Sequence, residues 1–130
     1  MQRIFCVAAL FLAGCSSPAI GPIFPFSQEL TVAAGTTVIV TEGVTVHFIG
    51  VSGDSRCPGD AICIQGGDAV VKLQVTSASP PRDVELHTGS MQPATSGDLT
   101  IELLQLMPYP FSSLPPIKPG DYRATIRLSR

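Results

Sequence analysis

From Glu29 onward the chain runs in short stretches of Val, Ile, Leu and Thr, interrupted by clusters of Gly, Pro, Asp and Ser. Nothing repeats its apolar residues at the 3.6-residue period over helical length, so the pattern predicts strands. Candidate strands cover 29–33, 36–41, 44–51, 69–77, 82–87, 99–107 and 121–128. Alternation is plainest in the last, where Tyr122, Ala124, Ile126 and Leu128 share one face and Arg123, Thr125 and Arg127 the other. Val71, Leu73 and Val75 oppose Lys72, Gln74 and Thr76 in the same way, and Val44, Val46 and Phe48 form a third apolar set. One face of each strand therefore goes to a core and the other to water. The predicted fold is all-β, a small antiparallel β-sandwich of about seven strands, immunoglobulin-like. Ala34-Gly35 and Glu42-Gly43 are turn signals consistent with hairpins.

The start of the chain follows another pattern. Met1-Gln2-Arg3 supplies a positive end, Ile4 to Leu12 is an unbroken apolar run, and Ala13 and Gly14 are small. That order is the signature of a secretory leader. The run is far shorter than the ~20 residues a membrane-crossing helix needs. Leu12-Ala13-Gly14-Cys15 resembles the bacterial lipobox, which implies a diacylglyceryl group on the Cys15 thiol and cleavage just before it. Ser16, next in the chain, resembles the cargo that a Gram-negative cell sorts to its outer membrane, facing the periplasm. The expected organisation is a leader at 1–14, a lipidated cysteine with a Pro-rich tether at 15–27, and a sandwich domain at 28–130. Pro18, Pro22 and Pro25 make the tether semi-rigid, at ~3.1 Å per residue. Ile20, Ile23, Phe24 and Phe26 are too apolar to stay in water, so part of the tether is expected to lie against the domain.

At 130 residues the chain fits one domain. Apolar residues make up 45% and charged ones 14%, enough to bury a core and too ordered a composition for a disordered chain. Without the leader, which carries only Arg3, seven basic residues face ten acidic ones, a balance of −3. Charges of both signs are spread without runs, so no nucleic-acid partner is expected, since that needs clustered Lys and Arg.

If Cys6 leaves with the leader and Cys15 carries lipid, Cys57 and Cys63 remain. An even pair in an exported domain reads as one disulfide. Closing so short a loop gives ~2.4 kcal/mol by chain entropy. A metal site with His47 and His87, or free thiols, are the alternatives; the C-x5-C spacing with both histidines distant counts against metal. Asp54-Ser55-Arg56-Cys57-Pro58, Cys63-Ile64, Gly67 and Ala69 resemble a D-S-R-C-P-x4-C-[VI]-W-x-G-x-A motif of a group of small secreted bacterial proteins, many of them lipoproteins. Pro108-Tyr109-Pro110 and Asp121-Tyr122 extend the likeness downstream, and Gln65 stands where the group usually has tryptophan. The resemblance implies the disulfide and one compact domain, and brings no catalytic residues with it.

Arg56 beside Asp54 is expected to fix the loop through backbone carbonyls or a carboxylate, with a recognition surface as the alternative. Gly66 and Gly67 are expected to supply turn geometry before the next strand. Asp54, Asp60 and Asp68 surround this loop and read as acidic turn residues in preference to a cation site. Asp83, Glu85 and His87 alternate onto one strand face, most simply a solvated one. Glu85 and His87 are the only pair that resembles acid and base, and His47 lies mid-strand between Val46 and Phe48. No nucleophile elbow, phosphate loop or calcium loop occurs, so no catalytic residue, cofactor or metal is expected. Around Pro108, Pro110, Pro115 and Pro116 the chain must run as an extended connection, with Tyr109, Phe111 and Leu114 packed beneath it or standing out as a partner patch. Asp54, Arg56, Pro58, Ile62, Gln65, Tyr109 and Phe111 form the candidate interaction surface. The expected function is a non-enzymatic, lipid-anchored envelope module that binds another envelope protein; the alternative is a secreted protease-type inhibitor presenting the disulfide loop.

Overall fold

The computed structural model describes residues 26–41, 43–77 and 80–130. The leader, Cys15 and the tether as far as Pro25 lie outside the described residues.

Eight strands form: β1 (Ser27–Ala33), β2 (Thr37–Thr41), β3 (Val44–Ser52), β4 (Val70–Thr76), β5 (Arg82–His87), β6 (Ala94–Ser96), β7 (Leu99–Met107) and β8 (Arg123–Ser129). They pair antiparallel in two four-stranded sheets, ordered β1-β8-β7-β6 and β2-β3-β4-β5. Alternation decides what lies between the sheets. Val44, Val46 and Phe48 of β3 and Val71, Leu73 and Val75 of β4 face Ile101, Leu103 and Leu106 of β7 and Ala124, Ile126 and Leu128 of β8, all buried. Each large side chain among them contributes roughly 1.5 to 3 kcal/mol by leaving water. On the outer face Arg127 of β8 reaches Glu29 of β1 and Glu102 of β7, a charge ladder across three strands.

Leu103 and Leu106 both point inward although three positions separate them, which strict alternation forbids. The register shift between Leu103 and Gln105 resolves this: a bulge at Leu104 restores Leu106 to the core. A second shift between Phe48 and Gly50 leaves Ile49 exposed.

Around the sandwich every strand lies beside its neighbours in sequence, and β1 pairs with β8 from Ser27↔Ser129 to Ala33↔Arg123. The described strands thus form a meander closed on itself. An immunoglobulin-like sandwich is built on Greek-key connections, and that detail of the expected fold finds no support in this strand order.

Two local expectations need correction. Ala34-Gly35 makes no hairpin but a corner between the sheets: Ala34 N–H donates to Tyr122 O at 2.9 Å and Gly35 N–H to Phe48 O at 2.7 Å. Gly35 stands at φ 80°, which suits a residue without Cβ. β6 is an additional strand, joined to β7 by Gly97-Asp98 with Gly97 at φ 63° and Ser96 paired to Leu99. Ser27 already lies in β1, and Phe26, from the segment expected to lie against the domain, packs on the core while its carbonyl accepts the Arg130 N–H at 3.1 Å.

Candidate functional site

The residues that lead from β3 into the long β3–β4 connection set the geometry of the candidate surface. Asp54 accepts three hydrogen bonds from Arg56: backbone N–H at 3.2 Å, Nε at 2.9 Å and Nη2 at 2.7 Å. The guanidinium then turns toward the connection after β7, where Nη1 donates to Leu106 O at 2.8 Å and Nη2 to Pro108 O at 3.0 Å. It lies 5.2 Å from the centre of the Tyr109 ring, within cation–π range. Only 8% of Arg56 is exposed. A planar fork with its charge matched can be buried this way, whereas a lysine would leave carbonyls without donors.

The Tyr122 hydroxyl completes the cluster by donating to Asp54 Oδ2 at 2.9 Å. Burial alone would raise the Asp54 carboxyl, but the hydrogen bonds from Arg56 and Tyr122 outweigh it and hold the group below its usual range. The Tyr122 phenol, buried and donating to a carboxylate, is pushed up to about 12. Burial would lower the Arg56 pKa, yet the Asp54 partner leaves it raised.

Immediately after Arg56, Cys57 and Cys63 form a disulfide with Cα atoms 6.0 Å apart. The loop between them is fastened to the same 107–117 connection a second time. Asp60 Oδ1 accepts Ser112 N–H at 2.6 Å and Oδ2 accepts Ser113 N–H at 2.9 Å, which brings its carboxyl down to about 2. Gly59 N–H donates to Pro110 O at 2.9 Å. A Cβ on Gly59 would come within 2.7 Å of the Phe111 ring, so the two loops touch closely enough that a side chain there would push the ring aside.

The base of the connection is held by Ser55 and Asp68, which exchange Ser55 N–H to Asp68 O at 2.7 Å and Asp68 N–H to Ser55 Oγ at 3.0 Å. Here the role expected of Gly67 changes. Its φ is not positive, and a Cβ would lie 1.4 Å from Ser55 O, so close backbone approach excludes a side chain. Gly66 has open space around it.

The structure therefore joins Asp54 to Arg56, Arg56 to Tyr109 and Tyr109 to Phe111, with Pro58 next in the chain to the Gly59 that meets Phe111 and with Arg56 turned inward as the brace and not outward as a contact. Ile62 and Gln65 stand in solvent, and Ile64, which sequence reasoning did not single out, is as fully exposed as Ile62. Packing of Tyr109, Phe111 and Leu114 beneath the Pro-rich connection is not what forms. They remain 43%, 42% and 61% exposed, with Tyr109 and Phe111 meeting edge to face at 6.4 Å, Tyr109 over Arg56 and Phe111 against Gly59.

The acid and base pairing drawn from strand β5 also differs. Glu85 faces Lys72 at 3.7 Å, while His87 Nδ1 meets Asp68 Oδ2 at 2.6 Å. Asp68 Oδ1 also accepts Gly89 N–H at 2.8 Å, and these partners, the His87 bond foremost, lower its pKa. His47 Nδ1 shares a 2.9 Å hydrogen bond with Thr37 Oγ1 across the β2–β3 pair. Asp54, Asp60 and Asp68 thus each serve a separate set of donors. The one signal that pointed to the site was the Asp-x-Arg-Cys spacing; the partners of Asp60 and Asp68 had none. No family model, no curated protein and no solved structure matches the chain.

Proposed function

We propose that the protein is a non-enzymatic binding module of the bacterial cell envelope, held to the membrane by a lipid on Cys15. It presents the disulfide loop and the 107–117 connection to another envelope protein as one surface. The observation that carries this reading is that Ile62 and Ile64 stand fully exposed on a loop otherwise tied down by Arg56, Asp60 and the disulfide. Apolar side chains on a braced frame bind with little ordering cost, and they suit the centre of an interface better than a surface left to water. The leader pattern and the Leu12-Ala13-Gly14-Cys15 segment support the envelope location.

A photo-crosslinking residue at Ile62 or Ile64 in living cells tests the reading. A discrete adduct is expected, lost in the Ile62→Ser/Ile64→Ser background and reduced when Cys15→Ser releases the protein from the membrane fraction. No adduct, with Cys15→Ser still membrane-bound, would overturn both halves. The exposure of Ile62 between the two bonded cysteines also favours a second reading, a protease-type inhibitor. In that case the adduct is a hydrolase, whose activity returns with Ile62→Ser.

A further inference from the structure

The long β3–β4 connection is fastened unevenly. The side that begins at Arg56 is tied down by contacts that involve no sulfur: Arg56 to the Leu106 and Pro108 carbonyls, Gly59 N–H to Pro110 O, and Asp60 to the Ser112 and Ser113 amides. The far side is different. Every residue of 61–66 is exposed, and among the described residues 62–66 make no hydrogen bond. The next fixed point is the loop base, where Gly67 lies against Ser55 and Asp68 is hydrogen-bonded to it twice. The 61–66 arm thus crosses from Asp60 to Gly67 with one pin between them, the bond from Cys63 to Cys57.

Ile62 and Ile64, both fully exposed, stand on either side of that pin. Their placement therefore hangs on a single covalent bond, while the buried cluster between the sheets includes neither cysteine. Cys57 is half-buried and Cys63 exposed, so a thiol from solvent can reach the bond from the Cys63 side.

We infer that the disulfide is a redox-controlled clasp: oxidised, it holds Ile62 and Ile64 in place for binding; reduced by a dithiol protein, it releases the 61–66 arm while the domain stays folded. The binding half rests on the loop surface proposed above, and the release of the arm does not. A thiolate of the reductant attacks the Cys63 sulfur and forms a mixed disulfide, while the electron pair of the broken bond leaves on Cys57, which takes a proton from water. The reductant's second thiol loses its proton, attacks the reductant's own sulfur in the mixed disulfide and expels Cys63, which is protonated in turn. The reductant ends as a disulfide, and Cys57 and Cys63 end as thiols. Without the pin the arm takes up many backbone conformations, and any partner must order it again, which weakens binding. Arg56, Gly59 and Asp60 keep their partners, because none of those contacts passes through sulfur.

The test compares the purified full chain before and after treatment with dithiothreitol, by backbone nitrogen relaxation and amide hydrogen exchange. Order parameters across 62–66 stand above ~0.6 in the oxidised protein, fall below it on reduction and recover on reoxidation. Exchange at Gly59, Ser112 and Ser113 changes less than twofold. Cys57→Ser/Cys63→Ser, checked to keep its strand amides protected, behaves as the reduced protein does. In living cells, with the photo-crosslinking residue at Ile64, that variant loses the adduct at least tenfold. Unchanged order in 62–66 on reduction, protection at Ser112 and Ser113 lost together with the arm, or a full-strength adduct from the double serine variant would each overturn the inference. No adduct from the oxidised parent sinks the loop surface proposed above, and the release of the arm is then decided by relaxation alone.

Discussion

Replacing Arg56 by methionine keeps the length and apolar stem of the side chain and removes only the fork. Four side-chain hydrogen bonds go with it: two to Asp54, one to Leu106 O and one to Pro108 O, together with the contact over Tyr109. Both partners of the ion pair are largely buried, with 6% and 12% of their side chains exposed, so the surface value of a salt bridge does not apply. Breaking a buried pair from one side costs about 3 to 5 kcal/mol, because the remaining charge is stranded. Asp54 keeps the Tyr122 hydroxyl and the Arg56 N–H, which places the expected loss near the lower end, about 3 kcal/mol. For a domain of this size that lowers Tm by roughly 12 °C or more. Urea unfolding followed by circular dichroism reads the change, with an unaltered m-value showing that the fold persists. Adding Asp54→Leu removes the stranded carboxylate, so the double variant is expected to regain about 1 to 2 kcal/mol. A single-variant loss below about 1 kcal/mol, or strict additivity of the two changes, would refute the view that Arg56 is the brace of the site.

The remaining predictions concern the same loops. Gly67→Ala forces a Cβ onto the Ser55 carbonyl and is expected to cost at least about 2 to 3 kcal/mol in thermal unfolding, whereas Gly66→Ala, with open space, stays within about 0.5 kcal/mol. The Asp60 carboxyl is held down to about 2 from 3.8, so what it adds is present above about pH 4 and is lost as pH falls through about 2. Amide exchange at Ser112 and Ser113 reads this directly, and Asp60→Asn should accelerate it already at neutral pH. Tyr122, raised to about 12 from 10, contributes stability that is full below pH 10 and fades as pH rises through about 12. Ultraviolet titration of the phenolate in the native protein should show one tyrosine ionising that late, and Asp54→Asn should bring it back toward 10. Cys57→Ser/Cys63→Ser opens a loop whose closure is worth ~2.4 kcal/mol by chain entropy, a difference that chemical unfolding resolves.

The strands were legible from the chain because alternation is a local property: residues two apart share a face, and a core needs one face apolar. Tyr122, Ala124, Ile126 and Leu128 announced a buried face that nothing distant had to supply, and they are buried. The even pair Cys57 and Cys63 was equally local, and so was the pairing of Asp54 with Arg56, two residues apart. β6 escaped because three residues are too few to show a period. The bulge at Leu104 escaped because it shifts the phase of an alternation that otherwise reads as continuous.

Everything that makes a site was decided at longer range. Arg56 turned inward because it reaches the Leu106 and Pro108 carbonyls, fifty and fifty-two positions away. Gly67 is glycine on account of Ser55 across the loop base, Asp60 is spent on Ser112 and Ser113, and His87 found Asp68 instead of Glu85. Apolar residues at 109, 111 and 114 stay partly in water, Tyr109 with its ring over the Arg56 guanidinium. Local pattern specifies which way a side chain faces; closure of β1 onto β8 and the packing of two loops specify what it meets.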